Sequence, residues 1–253
     1  MSDLTPSPAC CRIAPPPAPI YKQKGSFVEE NAMKTYQTGS DFPTQAILYI
    51  YDIFGLYPQT LRGADILAQS VAGKTGSATK VFMPDWFSQP ADISMYPPDT
   101  PEKMEYINSF LSANAAPNAI IPQMNGIMKS IEAKNPSIKS WGIVGFCWGG
   151  KMAALVSGPD TIFKAAAQCH PSLLDPKDAE NVSVPMMVLP SGDEDVPTVV
   201  EFEKRLQAAS YVETFEDMEH GWMTSKADFD NARVVAEYLR GYELLSGFFA
   251  KHL

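Results

Sequence analysis

The sequence predicts an α/β fold, a mostly parallel sheet flanked by helices and built as one domain. Three observations predict it. Strand-like apolar runs alternate with helix-length segments, so successive strands need crossover connections. Residues 46–51 (Ala-Ile-Leu-Tyr-Ile-Tyr) form a continuous apolar run, the mark of a strand buried on both faces. A glycine-rich turn at 145–150 joins a strand pattern to a helix pattern. At 253 residues, 45% of them aliphatic, aromatic or cysteine and 19% charged, the chain is within reach of one hydrophobic core.

The elements follow in order. Residues 1–20 are proline-rich, with Pro15-Pro16-Pro17, and carry few large apolar side chains. Such a segment reads as an extended tail ahead of a domain over 21–253, because it offers little surface to bury. Residues 25–39 suggest an edge hairpin. After the 46–51 strand, Pro58 opens a helix that ends near Gly73. Residues 81–84 make a second strand. Helices over 102–113 and 119–134 precede a third at 141–146. Further strands are expected at 164–169, 185–190 and 211–215, with a helix at 199–209 and a last one over 227–252.

The formal net charge of −9 and the lack of any Lys/Arg patch argue against nucleic acid. The N-terminus lacks the pattern of a signal peptide, and no apolar run reaches the ~20 residues of a membrane span. Cys10, Cys11, Cys147 and Cys169 do not resemble a disulfide framework, and neither CxxC spacing nor clustered histidines suggest a metal. A soluble, cytoplasmic protein is expected, a monomer or homodimer with no membrane partner and no metal.

Gly145-Phe146-Cys147-Trp148-Gly149-Gly150 has the spacing of the G-x-S-x-G nucleophile elbow with cysteine in place of serine. Glycines let strand and helix close together around a strained nucleophile, and a helix N-terminus favours thiolate. A thiol that merely packs beside glycines is the plainer alternative. His220 lies where the order nucleophile–acid–histidine puts the base. His170 comes too early for that role but can line the pocket, and His252 is expected in solvent. Three adjacent acids, Asp193, Glu194 and Asp195, compete to orient the histidine.

These features resemble the dienelactone hydrolase family, its fungal members in particular. The resemblance rests on 51–56 (Tyr-Asp-Ile-Phe-Gly-Leu), 59–65 (Gln-Thr-Leu-Arg-Gly-Ala-Asp), Pro84-Asp85-Trp86, the 145–150 elbow, His170-Pro171-Ser172 and His220-Gly221. It implies an α/β-hydrolase fold, a Cys–His–acid triad, no cofactor and a small ester or lactone substrate. Cys147 and His220 match the nucleophile and base, and the acid falls on Glu194, with Asp193 or Asp195 one residue away. The backbone N–H groups of Ile53 and Trp148 match the oxyanion hole, each donor worth ~3 kcal/mol. Asp52 matches a carboxylate that in bacterial members is a glutamate proposed to activate the thiol. Two arginines that hold a substrate carboxylate in bacterial members are replaced around Ser88 and at Thr224. Trp86, Phe87, His170 and Trp222 would line the pocket, and a neutral or aromatic substrate is expected, with Arg62 the one cation close by.

Cysteine chemistry narrows the leaving group. A thiol titrates near ~8.5 and a phenol near ~10, whereas an alcohol lies nearer the ~15.7 of water. Enol lactones and phenolic esters therefore suit Cys147 better than alkyl esters. Two other functions are compatible with the same residues: a lactone-forming, acyl-transferring or isomerising enzyme of secondary metabolism, and a non-catalytic binding protein.

Overall fold

The computed structural model describes residues 7–253. Eight strands form one sheet in the order β1-β2-β4-β3-β5-β6-β7-β8. The strands are β1 (Ser26–Glu30), β2 (Met33–Gly39), β3 (Gln45–Ile50), β4 (Thr79–Pro84), β5 (Ser140–Phe146), β6 (Phe163–Cys169), β7 (Met186–Leu189) and β8 (Ser210–Val212). The expected edge hairpin is β1–β2, antiparallel and joined antiparallel to β4; every pairing from β4 to β8 is parallel. The α/β-hydrolase expectation is borne out.

Among the described residues, seven helices connect and cover the strands: α1 (Pro58–Thr75), α2 (Pro101–Ala113), α3 (Pro117–Lys134), α4 (Trp148–Leu155), α5 (Pro176–Ala179), α6 (Val196–Arg205) and α7 (Ala232–His252). Local chemistry sets their ends. α1 starts on Pro58 and stops at Gly76, whose left-handed conformation (φ 69°) lets its N–H reach the Ala72 carbonyl. Asp195 caps α6, so that helix begins and ends earlier than periodicity suggests. Asn231 caps α7 through Arg233 and Val234, five residues later than the sequence suggests. The intervening segment is folded into turns instead, with Thr224 N–H on Gly221 O and Ala227 N–H on Thr224 O.

β3 is buried at every position, and its alternating side chains feed both layers. On one face Tyr49 hydrogen-bonds Tyr242 of α7 at 2.8 Å. On the other, Ile50 meets α4 so closely that a Cβ on Gly149 would lie 2.3 Å from the Ile50 carbonyl oxygen. α1 and α7 are equally close, since a Cβ on Gly63 would strike the Tyr242 hydroxyl at 1.9 Å.

The chain steps from β3 to β4, then crosses back to place β5 on the other side of β3. Loops leaving β3 and β5 diverge at such a reversal and open a crevice beyond the carboxyl ends of the strands. Asp52, Cys147, His170, Glu194 and His220 all lie in loops or turns that follow β3, β5, β6, β7 and β8 respectively.

Candidate active site

Cys147 sits between β5 and α4 with φ 55° and ψ −117°, a conformation that non-glycine residues rarely adopt. Its neighbours hold it there. Its N–H bonds Cys169 O at 3.1 Å, and its carbonyl accepts from Gly150 and Ser172. A Cβ on Gly145 would fall 1.9 Å from the Gly149 carbonyl oxygen, so strand and helix meet only because both positions lack side chains. The strained turn lifts the thiol to the head of α4.

His220 comes to the same place from the loop after β8. Its Nδ1 lies 2.5 Å from Glu194 Oε1, with both side chains buried. Glu194 Oε2 accepts from the Ser191 N–H, which anchors the carboxylate beside the imidazole. The neighbouring acids are used differently. Asp193 Oδ2 accepts the backbone N–H of His220 at 2.9 Å and pairs with Arg12 through its other oxygen. Asp195 is exposed and caps α6 through Thr198. Of the three acids, Glu194 is the one against the imidazole.

His170 is buried behind His220, with ring centroids 5.1 Å apart and an edge-to-face arrangement. Burial, and then repulsion from His220, push it well below the usual imidazole range, so it stays neutral. Asp52 makes no hydrogen bond to Cys147 among the described residues. Its Oδ2 accepts from Thr224 Oγ1 at 2.6 Å and from Ser225 N–H and Oγ, and its Oδ1 from Phe54 N–H at 2.9 Å. It ties the loop after β3 to the turn beyond His220. Its charge also works against thiolate formation at Cys147. The Ile53 and Trp148 N–H groups make no hydrogen bond among the described residues.

The aromatic positions are buried rather than open. Phe87 packs on Trp148 at 4.8 Å, and Trp148 Nε1 bonds Ala115 O. Trp222 lies on Phe215 at 4.2 Å. Trp86 and Phe87 also wall a cavity with Ser88, Gln89 and Lys34. Thr224 is fully buried on Asp52, so the two positions matching the bacterial arginines are not equivalent pocket faces.

The tail holds what sequence reasoning missed. Residues Ala9–Cys11 form a short 3₁₀ turn over the site, and Cys10 is buried with its Sγ 3.7 Å from Cys147 Sγ and 3.8 Å from the Tyr96 hydroxyl. Cys10, Cys147 and His220 present ligand-capable atoms all within 4.8 Å of one another. Arg12 anchors the segment on Asp193, and buried Lys226 donates to the Cys10 carbonyl at 2.7 Å. Gly221 (φ 98°) makes room for that lysine, since a Cβ there would sit 2.8 Å from its side chain. Lys226, and not Arg62, is therefore the cation at the site; Arg62 lies over the Phe229 ring. The only sequence signal was a cysteine pair in a stretch otherwise poor in residues that prefer burial.

With the tail seated the charges are redistributed. Burial disfavours the His220 imidazolium, but the adjacent Cys10 thiol and the Glu194 carboxylate outweigh it and hold the group up at about 9. Contacts with Cys11 and Cys147 draw Cys10 well below the usual thiol range. Burial, with Cys10 beside it, pushes Cys147 well above that range. In this closed arrangement both the Cys10 and the Cys147 thiols stand beside the histidine.

Comparison with known proteins agrees with the fold. A model of the dienelactone hydrolase family matches residues 33–252. An uncharacterized AIM2 family protein of Schizosaccharomyces pombe is 37% identical over 237 residues, covering 90% of this chain and 92% of its own. A human carboxymethylenebutenolidase homolog is 24% identical over 218 residues, covering 82% and 83%. The crystal structure of a dienelactone hydrolase from Anabaena variabilis superposes with a TM-score of 0.64 at 15% identity, covering 92% of this chain and 98% of that one.

Proposed function

We propose that this chain, which belongs to the dienelactone hydrolase family, cleaves an ester or lactone through an acyl intermediate on Cys147. The observation that carries the reading is a thiol on a strained elbow, within reach of a buried histidine whose far nitrogen is held by a carboxylate. Cys147 gives its thiol proton to His220 Nε2 as its sulfur bonds to the substrate carbonyl carbon, and the carbonyl oxygen gains the negative charge. The Ile53 and Trp148 N–H groups, without other partners among the described residues, receive that oxyanion. His220 Nε2 gives its proton to the leaving oxygen as the C–O bond breaks. A water, deprotonated by the same nitrogen, then attacks the acyl carbon and releases the acid and the thiol. Glu194 holds Nδ1–H and steadies the imidazolium throughout.

The substrate takes the space now filled by Cys10, so the tail must lift for turnover. When it lifts, Lys226 loses the Cys10 carbonyl. A buried ammonium needs a new partner, and a carbonyl or carboxylate oxygen of the substrate supplies one. That removes the premise behind a neutral substrate, which assumed no cation at the site. An activated aryl ester or enol lactone bearing an acidic or carbonyl group fits best. All four cysteines are free thiols, which suits a reducing compartment such as the cytoplasm.

The test is a panel of aryl esters and enol lactones against the wild type, Cys147→Ala and Cys147→Ser. Turnover in the alanine variant should fall to background and the serine variant should keep little. Turnover unchanged in Cys147→Ala would remove the cysteine mechanism.

A further inference from the structure

We infer that Cys10, Cys147 and His220 form a zinc site that clamps the N-terminal segment over the catalytic pair. Spacing rules look for ligands close in sequence; these three come from the tail, the elbow and the loop after β8, brought together only by the fold.

Three features point to a metal ligand set. The first is distance. Zinc–thiolate bonds of about 2.3 Å at a tetrahedral angle put two sulfurs about 3.8 Å apart, and the Cys10 and Cys147 sulfurs stand at 3.7 Å. The second is an unpartnered donor. His220 Nε2 is buried with no hydrogen-bond partner among the described residues, and it belongs to the same cluster. The third is support from behind. A metal-bound histidine commonly gives its other N–H to a carboxylate, and His220 Nδ1 is already 2.5 Å from Glu194 Oε1. Two thiolates and an imidazole are a soft set suited to zinc, with the fourth position supplied by solvent.

Binding needs no redox step. One Zn²⁺ and two thiols give a zinc dithiolate and two protons released to solvent, with the imidazole nitrogen donating its lone pair. The site differs from a catalytic zinc site in what it does. It occupies the nucleophile and the base at once and ties residue 10 across them, so metal holds the enzyme shut and removal opens it. The effect on turnover rests on the hydrolase reading above; the metal site itself does not.

The test uses full-length protein, stripped of metal and kept reduced by a non-thiol reductant. Zinc uptake is measured by elemental analysis after gel filtration, and Co²⁺ serves as the spectroscopic probe. The expected result is one zinc per chain. Cobalt should show the intense visible bands of a tetrahedral site, with thiolate-to-metal charge transfer from two sulfurs. Cys10→Ser should lose about half of that charge-transfer intensity and at least a hundredfold in zinc affinity, while Cys11→Ala keeps both. Cys10→Ala, checked for native circular dichroism, guards against serine acting as a weak ligand. Less than stoichiometric zinc, a six-coordinate cobalt spectrum, or affinity that follows Cys11 instead of Cys10 would overturn the proposal. Metal uptake is read without substrate, so failure to find hydrolysis leaves this result standing. If uptake holds, zinc should inhibit turnover of an aryl ester, and a chelator should restore it.

Discussion

Replacing Glu194 by glutamine isolates the job of the acid. The Ser191 N–H points at Oε2, so the new amide must keep its oxygen there and turn its NH₂ toward His220 Nδ1. Nδ1 then has to accept, and the imidazole proton moves to Nε2, the atom that should take a proton from the nucleophile. The variant thus loses both the favoured tautomer and the charge that steadies imidazolium. The equivalent change in a serine triad lowers the rate about 10⁴-fold, and a thiol is easier to ionise than a hydroxyl. A drop of about 10³–10⁴ in the acylation rate follows, or about 4–5.5 kcal/mol of barrier at 1.36 kcal/mol per decade. The neighbours are controls. Asn at 193 still accepts the His220 N–H and forfeits only an ion pair to an arginine whose side chain is 61% exposed, an effect within a few-fold. Asn at 195 remains a good helix cap. The assay is a stopped-flow burst on an activated aryl ester, which reports acylation even when tail opening limits turnover, with ¹⁵N NMR of the His220 ring. A Glu194→Gln burst within tenfold of wild type, or an unchanged tautomer, would refute the argument.

Two further outcomes can be checked. His220 is held at about 9 in the fold against about 6.5 unfolded, in contact with Glu194, Cys10, Cys147 and His170. Its raised value alone means folding stability that is complete below about 6.5 and lost as pH rises through about 9, while the lowered Cys10 thiol contributes in the opposite sense; urea melts of metal-free protein should therefore be nearly flat across that window, and His220→Gln should leave stability rising with pH. Lys226→Met should raise KM for a carboxylate-bearing aryl ester about ten- to a hundredfold while barely affecting its neutral twin. Equal effects on both substrates would mean that Lys226 holds the tail and not the substrate.

What was legible in the sequence follows from where the constraint lies. β3 and the elbow were readable because both are local: an unbroken six-residue apolar run is the mark of a doubly buried strand, and glycines at 145 and 149 mark a turn where strand and helix close together. The choice among residues 193–195 was not local. It depends on which carboxylate faces an imidazole 26 positions away, while the backbone N–H of the same histidine occupies one rival and a helix end the other. Asp52 was misleading for the same reason, since Thr224 and Ser225, which engage its carboxylate, lie more than 170 residues on. Those contacts also keep the segment before Asn231 out of α7, despite its helix-like composition. The tail was the largest gap. Among the described residues its prolines leave room for regular structure only in the short Ala9–Cys11 turn, and two anchors, Arg12 on Asp193 and the Cys10 carbonyl on Lys226, hold the segment in place.

Turnover by this route requires a covalent bond between substrate and Cys147. Wild type and His220→Gln should be mixed with an activated aryl ester, quenched in acid within the first turnover, and mapped by intact-mass and peptide mass spectrometry. One acyl group per chain is expected on the peptide carrying Cys147, transient in the wild type. In the histidine variant the adduct should form slowly and persist, because the base that activates water is gone. An acyl group on Cys10, Cys11 or a serine, or product release with no adduct at any time, would contradict it.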